Sequence, residues 1–192
     1  MAFLHLVSEA RTCRRFAQDT RISQDDLHWL MECASRVPCG RNAQVLRYAL
    51  VSSPEKCAEL FTHTRWAGAL KDWEGPAEGE RPTAYIAILS PKESTAIMHM
   101  DVGIAAQTIQ LAAHTRGIGC CMHGSFVRPA CAALLQVPDD MQPALILALG
   151  MTKEERRLAS MPANGAFDYW RDAQGVHHVP KRAVSELVLV RL

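Results

Sequence analysis

At 192 residues, 48% hydrophobic and 21% charged, the chain has the size and composition of a single soluble domain, 1–192, with one substantial core. Its formal net charge of +1 excludes a nucleic-acid or membrane partner held mainly by electrostatics. Seven cysteines, an odd number with no C-x-x-C pair, argue against a disulfide framework or a ribbon-type zinc site, and free thiols in a reducing cytoplasm are the simplest reading.

In chain order, Phe3, Leu4, Leu6 and Val7 mark a short helix over residues 2–9. "SQDDLHWLMECASRV" predicts a second helix, with Ser23 as N-cap, Asp25 and Asp26 in the first turn, and Leu27, Leu30, Met31 and Ala34 on one face. Pro38-Cys39-Gly40 ends it. "VLRYALVS" reads as a strand, and Ser53-Pro54-Glu55 opens a third helix. Residues 63–82, dense in Gly and Pro and holding Trp66 and Trp73, predict a long ordered excursion with room for a short helix. "TAYIAILS" is a strand. Residues 98–116 predict a buried, alanine-rich helix stopped by Gly117. "IGCCMH" is a strand, Arg128 to Leu135 a short helix, and "PALILALG" a strand buried on both faces. Alternating strands and helices place the fold in the α/β or α+β class.

Phosphate-loop, dinucleotide-fingerprint, nucleophile-elbow and zincin motifs are all absent from the sequence. His177 and His178 invite a metal reading, but neighbours on a strand point to opposite faces, and no third ligand lies nearby in sequence. Cys120-Cys121 sits in an apolar strand, where packing explains it better than redox chemistry. Cys39 lies in a polar turn, where small size is reason enough for it.

Two stretches are more informative. "ARTCRRF", residues 10–16, gathers Arg11, Arg14 and Arg15, which suit either a solvated charged face or the guanidinium forks of an anion site. "PCGRNAQ", residues 38–44, combines a small-residue turn with the amides of Asn42 and Gln44, which suit the edge of a planar heterocycle or simply a polar loop.

In sequence order, these stretches resemble the FMN-dependent nitroreductase family over nearly the whole chain. "ARTCRRF" resembles its Arg-rich segment ending in Phe, and "VPCGRNAQ" its Pro-Ser-x-x-Asn-x-Gln loop. "DVGIAAQTIQLAAHTRGIG" resembles its glycine- and alanine-rich helix with a Gly-x-Gly turn, and "LILALG" and "HHVPKR" complete the set. Ala10 stands where a basic residue is common, and Gln44-Val45-Leu46 where Gln-Pro-Trp is usual.

The resemblance implies an α+β, three-layer fold: a central, mostly antiparallel sheet flanked by helices, in an intertwined homodimer with FMN at the interface. By matching positions, Arg11 would contact the FMN phosphate, Thr12 the phosphate or ribityl chain, and Arg14 the pyrimidine edge. Pro38, Cys39, Gly40 and Asn42, supported by Gln44, would come from the other subunit. Cys121, Met122, His123 and Gly124 would border the dimethylbenzene and N5 side, and Arg182, with Lys181, would close over the phosphate. Lys71 and Arg81 are both candidates for a further cation near the ring, and Arg15 also suits plain solvation. The implied activity is ping-pong, two-electron transfer from NAD(P)H to an electron-poor organic acceptor through flavin N5, with no side-chain nucleophile and no metal. A flavin-binding redox sensor and a flavin-free, partner-binding dimer of the same fold stay open.

Overall fold

The computed structural model describes residues 2–192. Helix α1 spans Phe3–Glu9 and α2 Gln24–Ala34; the Ser23 hydroxyl accepts from the Asp26 N–H at 3.0 Å and caps α2. Strand β1 is Arg47–Val51 and α3 is Pro54–Thr62, capped by Ser53. Strand β2 is Ala84–Pro91, and α4, the longest helix, is Ala96–Thr115. Gly117, at φ 73°, takes the left-handed turn that ends α4. Then come β3 (Ile118–His123), α5 (Arg128–Leu134) and β4 (Met141–Met151). The chain closes with β5 (Arg156–Ser160), β6 (Trp170–Arg171), β7 (His177–Lys181) and α6 (Val184–Leu187).

The main sheet has the order β1-β2-β4-β3, every neighbouring pair antiparallel. Its two central strands are covered on both faces, which is why they read as unbroken apolar runs. Ile86, Ile88, Leu147 and Leu149 pack on one side with Leu27 and Leu30 of α2 and with Ala105, Ala106 and Ile109 of α4. Tyr85, Ala87, Ile146 and Ala148 pack on the other with Leu60 of α3 and Cys131 of α5. Helices therefore sandwich the sheet in three layers. A second, small sheet has the order β5-β7-β6, with β5 and β7 parallel.

Two sequence expectations change. Residues 63–82 form no helix; the excursion runs through turns and is fixed by long-range contacts, such as the Trp66 ring 4.2 Å from that of His123. The C-terminal sheet carries no apolar run, since "RRLAS" and "HHVPK" are mostly polar, and it was not foreseen as a unit.

Candidate functional site

The arginine segment is laid along β3. Thr12 bridges Cys120, the Cys13 N–H donates to the Cys120 carbonyl at 2.9 Å, and Phe16 bridges Thr152. Cys13 is fully buried, so its neighbours Thr12 and Arg14 fall on the opposite side, and the chain turns before the buried Phe16. Glycines make the close approach possible. A Cβ on Gly119 would stand 2.6 Å from Cys13 Sγ, and one on Gly150 2.8 Å from Phe16 Cβ. Arg15 is half-buried and paired. Its Nε and Nη2 donate to the two carboxylate oxygens of Glu80 at 2.6 and 2.5 Å, which holds that carboxyl below its ordinary range.

Arg11, Thr12, Arg14, Gln110, His177 and Lys181 line a cleft of about 290 Å³, and among the described residues none of its lining is acidic. Arg11 Nη2 donates to the Val7 carbonyl, while its Nε is buried without a partner. Burial, and then the charge of Arg156, pulls the Arg11 pKa below the usual guanidinium value. Arg156 Nη1 donates to the Arg11 carbonyl at 3.2 Å, and its Nε is also buried and unpartnered. Gln110 Nε2 donates to the Ala10 carbonyl at 2.9 Å and so fixes the entry to the segment.

Arg14 is held from three directions. Its Nη1 lies 3.1 Å from His177 Nε2, its guanidinium sits 4.4 Å from the Tyr169 ring centroid, and its backbone N–H donates to Glu154 Oε2 at 2.8 Å. Glu154 Oε1 accepts from Arg171 Nη2 at 2.6 Å, so both oxygens of this buried carboxylate are engaged. The cleft is thus a concentration of cations with no acidic lining, and the buried Glu154 behind Arg14 is already engaged by the Arg14 N–H and Arg171. It can hold an anion with several acceptor oxygens, and a phosphate monoester meets that description.

The amide-bearing loop is elsewhere in the chain's own surface. Gly40–Asn42 forms a single tight turn, and Arg41, Asn42 and Gln44 take φ of 55°, 53° and 48°. Three non-glycine residues in the left-handed region within four positions mark a conformationally constrained loop. Asp101 Oδ1 accepts from the Gly40 N–H at 2.9 Å, and Cys39 Sγ from the Gln44 N–H at 3.4 Å. Pro38, Asn42 and Gln44 are exposed. Cys39, Gln44, Tyr48 and Asp101 line a second cleft of about 210 Å³. Both clefts border α4, where Asp101 and Gln107 are about 9 Å apart along the axis. Within one chain the two groups do not line a common cleft.

Cys120 and Cys121 are buried on opposite faces of the main sheet, and burial keeps both as thiols, with Cys121 pushed up to about 12. Met122 packs against the core beside Cys120. His123 Nδ1 lies 3.0 Å from the Arg65 carbonyl, which fixes Nε2 as a bare, buried acceptor; burial pulls the pKa down to about 4. Gly124 is exposed, with open space where a side chain would be. Lys181 joins the first cleft, whereas Arg182 turns to Glu186 at 3.4 Å. Lys71 is exposed, and Arg81 lies 4.6 Å over the Phe61 ring beside a different cleft. Gln110, Glu154, Tyr169 and His177 were not among the sequence candidates for the site. Only the alternation of "HHVPK", which puts His177 on the cleft-lining face with Val179 and Lys181, carried any signal for one of them.

The model of the nitroreductase family matches residues 7–151. The chain belongs to the nitroreductase family. Among solved structures, it resembles a nitroreductase in complex with FMN from Desulfovibrio desulfuricans, at 20% identity and a TM-score of 0.69, covering 100% of this chain and 98% of that one. It also resembles an FMN-dependent nitroreductase from Clostridium difficile R20291, at 21% identity and a TM-score of 0.66, covering 81% and 90%. A nitroreductase family protein from Clostridium novyi NT matches at 21% and 0.66, covering 80% and 88%. At such identities the likeness is one of fold. No curated protein matches the chain. The family model ends at β4, so in this chain the segment that brings Tyr169, His177 and Lys181 to the cleft lies beyond it.

Proposed function

We propose that this chain, acting as one unit over residues 1–192, is an FMN-dependent oxidoreductase that uses NAD(P)H to reduce an electron-poor organic acceptor such as a nitroaromatic, a quinone or a flavin. The observation that carries the reading is the acid-free cleft of Arg11, Thr12, Arg14 and Lys181, with the buried Arg11 Nε lacking a partner. That donor set fits the phosphate end of FMN. The cleft, at the lower limit of ordinary ligand sites (roughly 300–1,000 Å³), suits a phosphate and part of a ribityl chain better than a whole flavin.

Arg11, Thr12 and Lys181, joined by Arg182 once it leaves Glu186, would hold the phosphate. Arg14 would stand at the pyrimidine edge of the ring, where a fixed positive charge favours the electron-rich state. Backbone N–H groups of Cys121 to Gly124 would border the N5 side. Pro38, Cys39, Gly40 and Asn42, with Gln44 behind them, would be contributed by a second copy, since the chain's own loop faces a different cleft. FMN held there would supply the two-electron hydride chemistry between NAD(P)H and the acceptor. The protein binds, orients and tunes; no side chain acts as a nucleophile.

Exposed apolar side chains support the homodimer. Phe3, Leu4 and Met100 are 72%, 78% and 65% exposed, and the C-terminal residues Leu189 and Val190 are 90% and 70% exposed. Among the described residues no helix is long and apolar enough to cross a membrane, and seven free cysteines suit a reducing, cytoplasmic setting. The test is to identify the chromophore released by denaturation and to sediment the native protein at low micromolar concentration. FMN and twice the 21.2 kDa chain mass are expected. FAD, or no flavin after incubation with FMN, would count against the cofactor, and a flavin-loaded monomer against the dimer.

A further inference from the structure

We propose that His177 is a positioning residue of the flavin site: through Nε2 it holds the Arg14 guanidinium at the cleft by a neutral acceptor, leaving the full positive charge of Arg14 available. The inference rests on the flavin reading above. Arg14 can only donate, so the 3.1 Å contact makes His177 Nε2 the acceptor and puts the ring proton on Nδ1. His177 is fully buried, and its Nδ1 has no partner, so the contact to Arg14 is the ring's one side-chain hydrogen bond. The strand around it is fixed independently: the His177 N–H donates to the Glu155 carbonyl at 2.9 Å, and Arg156 pairs with His177 in the parallel ladder.

A carboxylate in the same place would also hold Arg14, and hold it more strongly, but it would cancel its charge. The nearby carboxylate, Glu154, binds the Arg14 backbone and the Arg171 side chain instead. The Arg14 guanidinium is therefore fixed by two uncharged, neighbouring rings, His177 through Nε2 and Tyr169 through its face. Protonation of His177 would remove the lone pair and set two cations against each other. The groups that face it are Arg14 from the N-terminal segment, Glu154 and Arg156 around the start of β5, and Arg171 from β6, with Tyr169 5.1 Å away between ring centroids. Burial and the three arginines outweigh Glu154 and push the His177 pKa down to about 4, which keeps the acceptor neutral at any ordinary pH.

Three variants separate this role from packing. His177→Gln places an uncharged carbonyl near the Nε2 position, His177→Glu a charged acceptor, and His177→Leu none. For each, the FMN dissociation constant and the midpoint potential of the bound flavin are measured. The Gln variant should keep FMN affinity within about threefold and the wild-type potential. The Leu variant should bind FMN at least about tenfold more weakly. The Glu variant should disfavour reduced over oxidised flavin by about tenfold, a potential about 30 mV lower. Should the Leu variant fail to fold, the Gln–Glu comparison still decides. In wild type, side-chain ¹⁵N spectra should show the Nδ1-protonated neutral ring down to pH 5. Wild type that binds FMN, with potential and affinity equal in all folded variants, overturns the proposal alone. Wild type that takes up no FMN overturns the flavin reading and the proposal with it.

Discussion

Arg14 and His177 lie 163 residues apart in the chain and 3.1 Å apart in the fold. The C-terminal sheet thus completes a cleft whose other wall is built by the N-terminal segment, and the two arginines of that wall sit differently. Arg11 is anchored to the Val7 carbonyl and has a buried, unpartnered Nε, whereas Arg14 is held by two neighbouring rings. Their alanine variants should fail differently.

Arg11 is assigned to phosphate, whose charge does not change when the flavin is reduced. Arg11→Ala should lose about 1.5–3 kcal/mol of FMN binding, roughly ten- to a hundredfold, with little change in potential and recovery at excess FMN. Arg14→Ala should lower the midpoint potential, by about 30 mV for each tenfold differential loss, and slow reduction should persist at saturating FMN. Flavin titration with equilibrium redox measurement reads both. A potential shift in the Arg11 variant alone would reverse the two roles.

Gly119→Ala tests the route by which the sheet places these arginines. Its Cβ would meet Cys13 Sγ at 2.6 Å and Cys13 Cβ at 2.8 Å, so the segment carrying Thr12 and Arg14 must move off β3. A stability loss of about 1–3 kcal/mol in urea unfolding is expected, together with weakened FMN binding. Gly124→Ala, in open space, is the control and should leave stability unchanged.

Glu154→Ala removes the carboxylate that ties Arg171 and the Arg14 backbone together. Because it leaves a nearly buried arginine without its partner, a loss of about 3 kcal/mol is expected. Hydrogen exchange should localise the loosening to residues 11–15 and the β5-β7-β6 sheet.

Stability should depend on pH through buried histidines, chiefly His123 and His177, with His114 also lowered by burial. His123 and His177 are both depressed to about 4, so between about pH 6.5 and 4 the unfolded chain binds more protons than the folded one. Their contribution is therefore complete above pH 6.5 and is lost as the pH falls toward 4. Below that, protonation of Glu80 and Asp26, both depressed by their partners, removes more. Urea midpoints measured from pH 8 to pH 4 should be flat at first and then fall; His177→Gln should fall less between 6.5 and 4.

Much of this was legible in the sequence, and for physical reasons. "TAYIAILS" and "PALILALG" are unbroken apolar runs because β2 and β4 are covered on both faces. Ser23 and Ser53 announce α2 and α3 because their hydroxyls satisfy otherwise unpaired N–H groups. The small sheet was not legible, because "RRLAS" and "HHVPK" draw their order from contacts with a distant segment rather than from an apolar face of their own. The same distance hid His177. Two adjacent histidines suggest metal or surface until Arg14 is known to stand opposite one of them. The pairing of Arg15 was hidden likewise, since its partner Glu80 is 65 residues away.

The most direct test of the central claim is the visible flavin spectrum of the FMN-loaded protein under anaerobic conditions, followed through two additions. NADH or NADPH should bleach the bound flavin within seconds, and a quinone or nitroaromatic added next should restore the oxidised spectrum and support repeated turnover. A protein that takes up no FMN, or one whose bound FMN stays oxidised in excess NADH and NADPH, would contradict it.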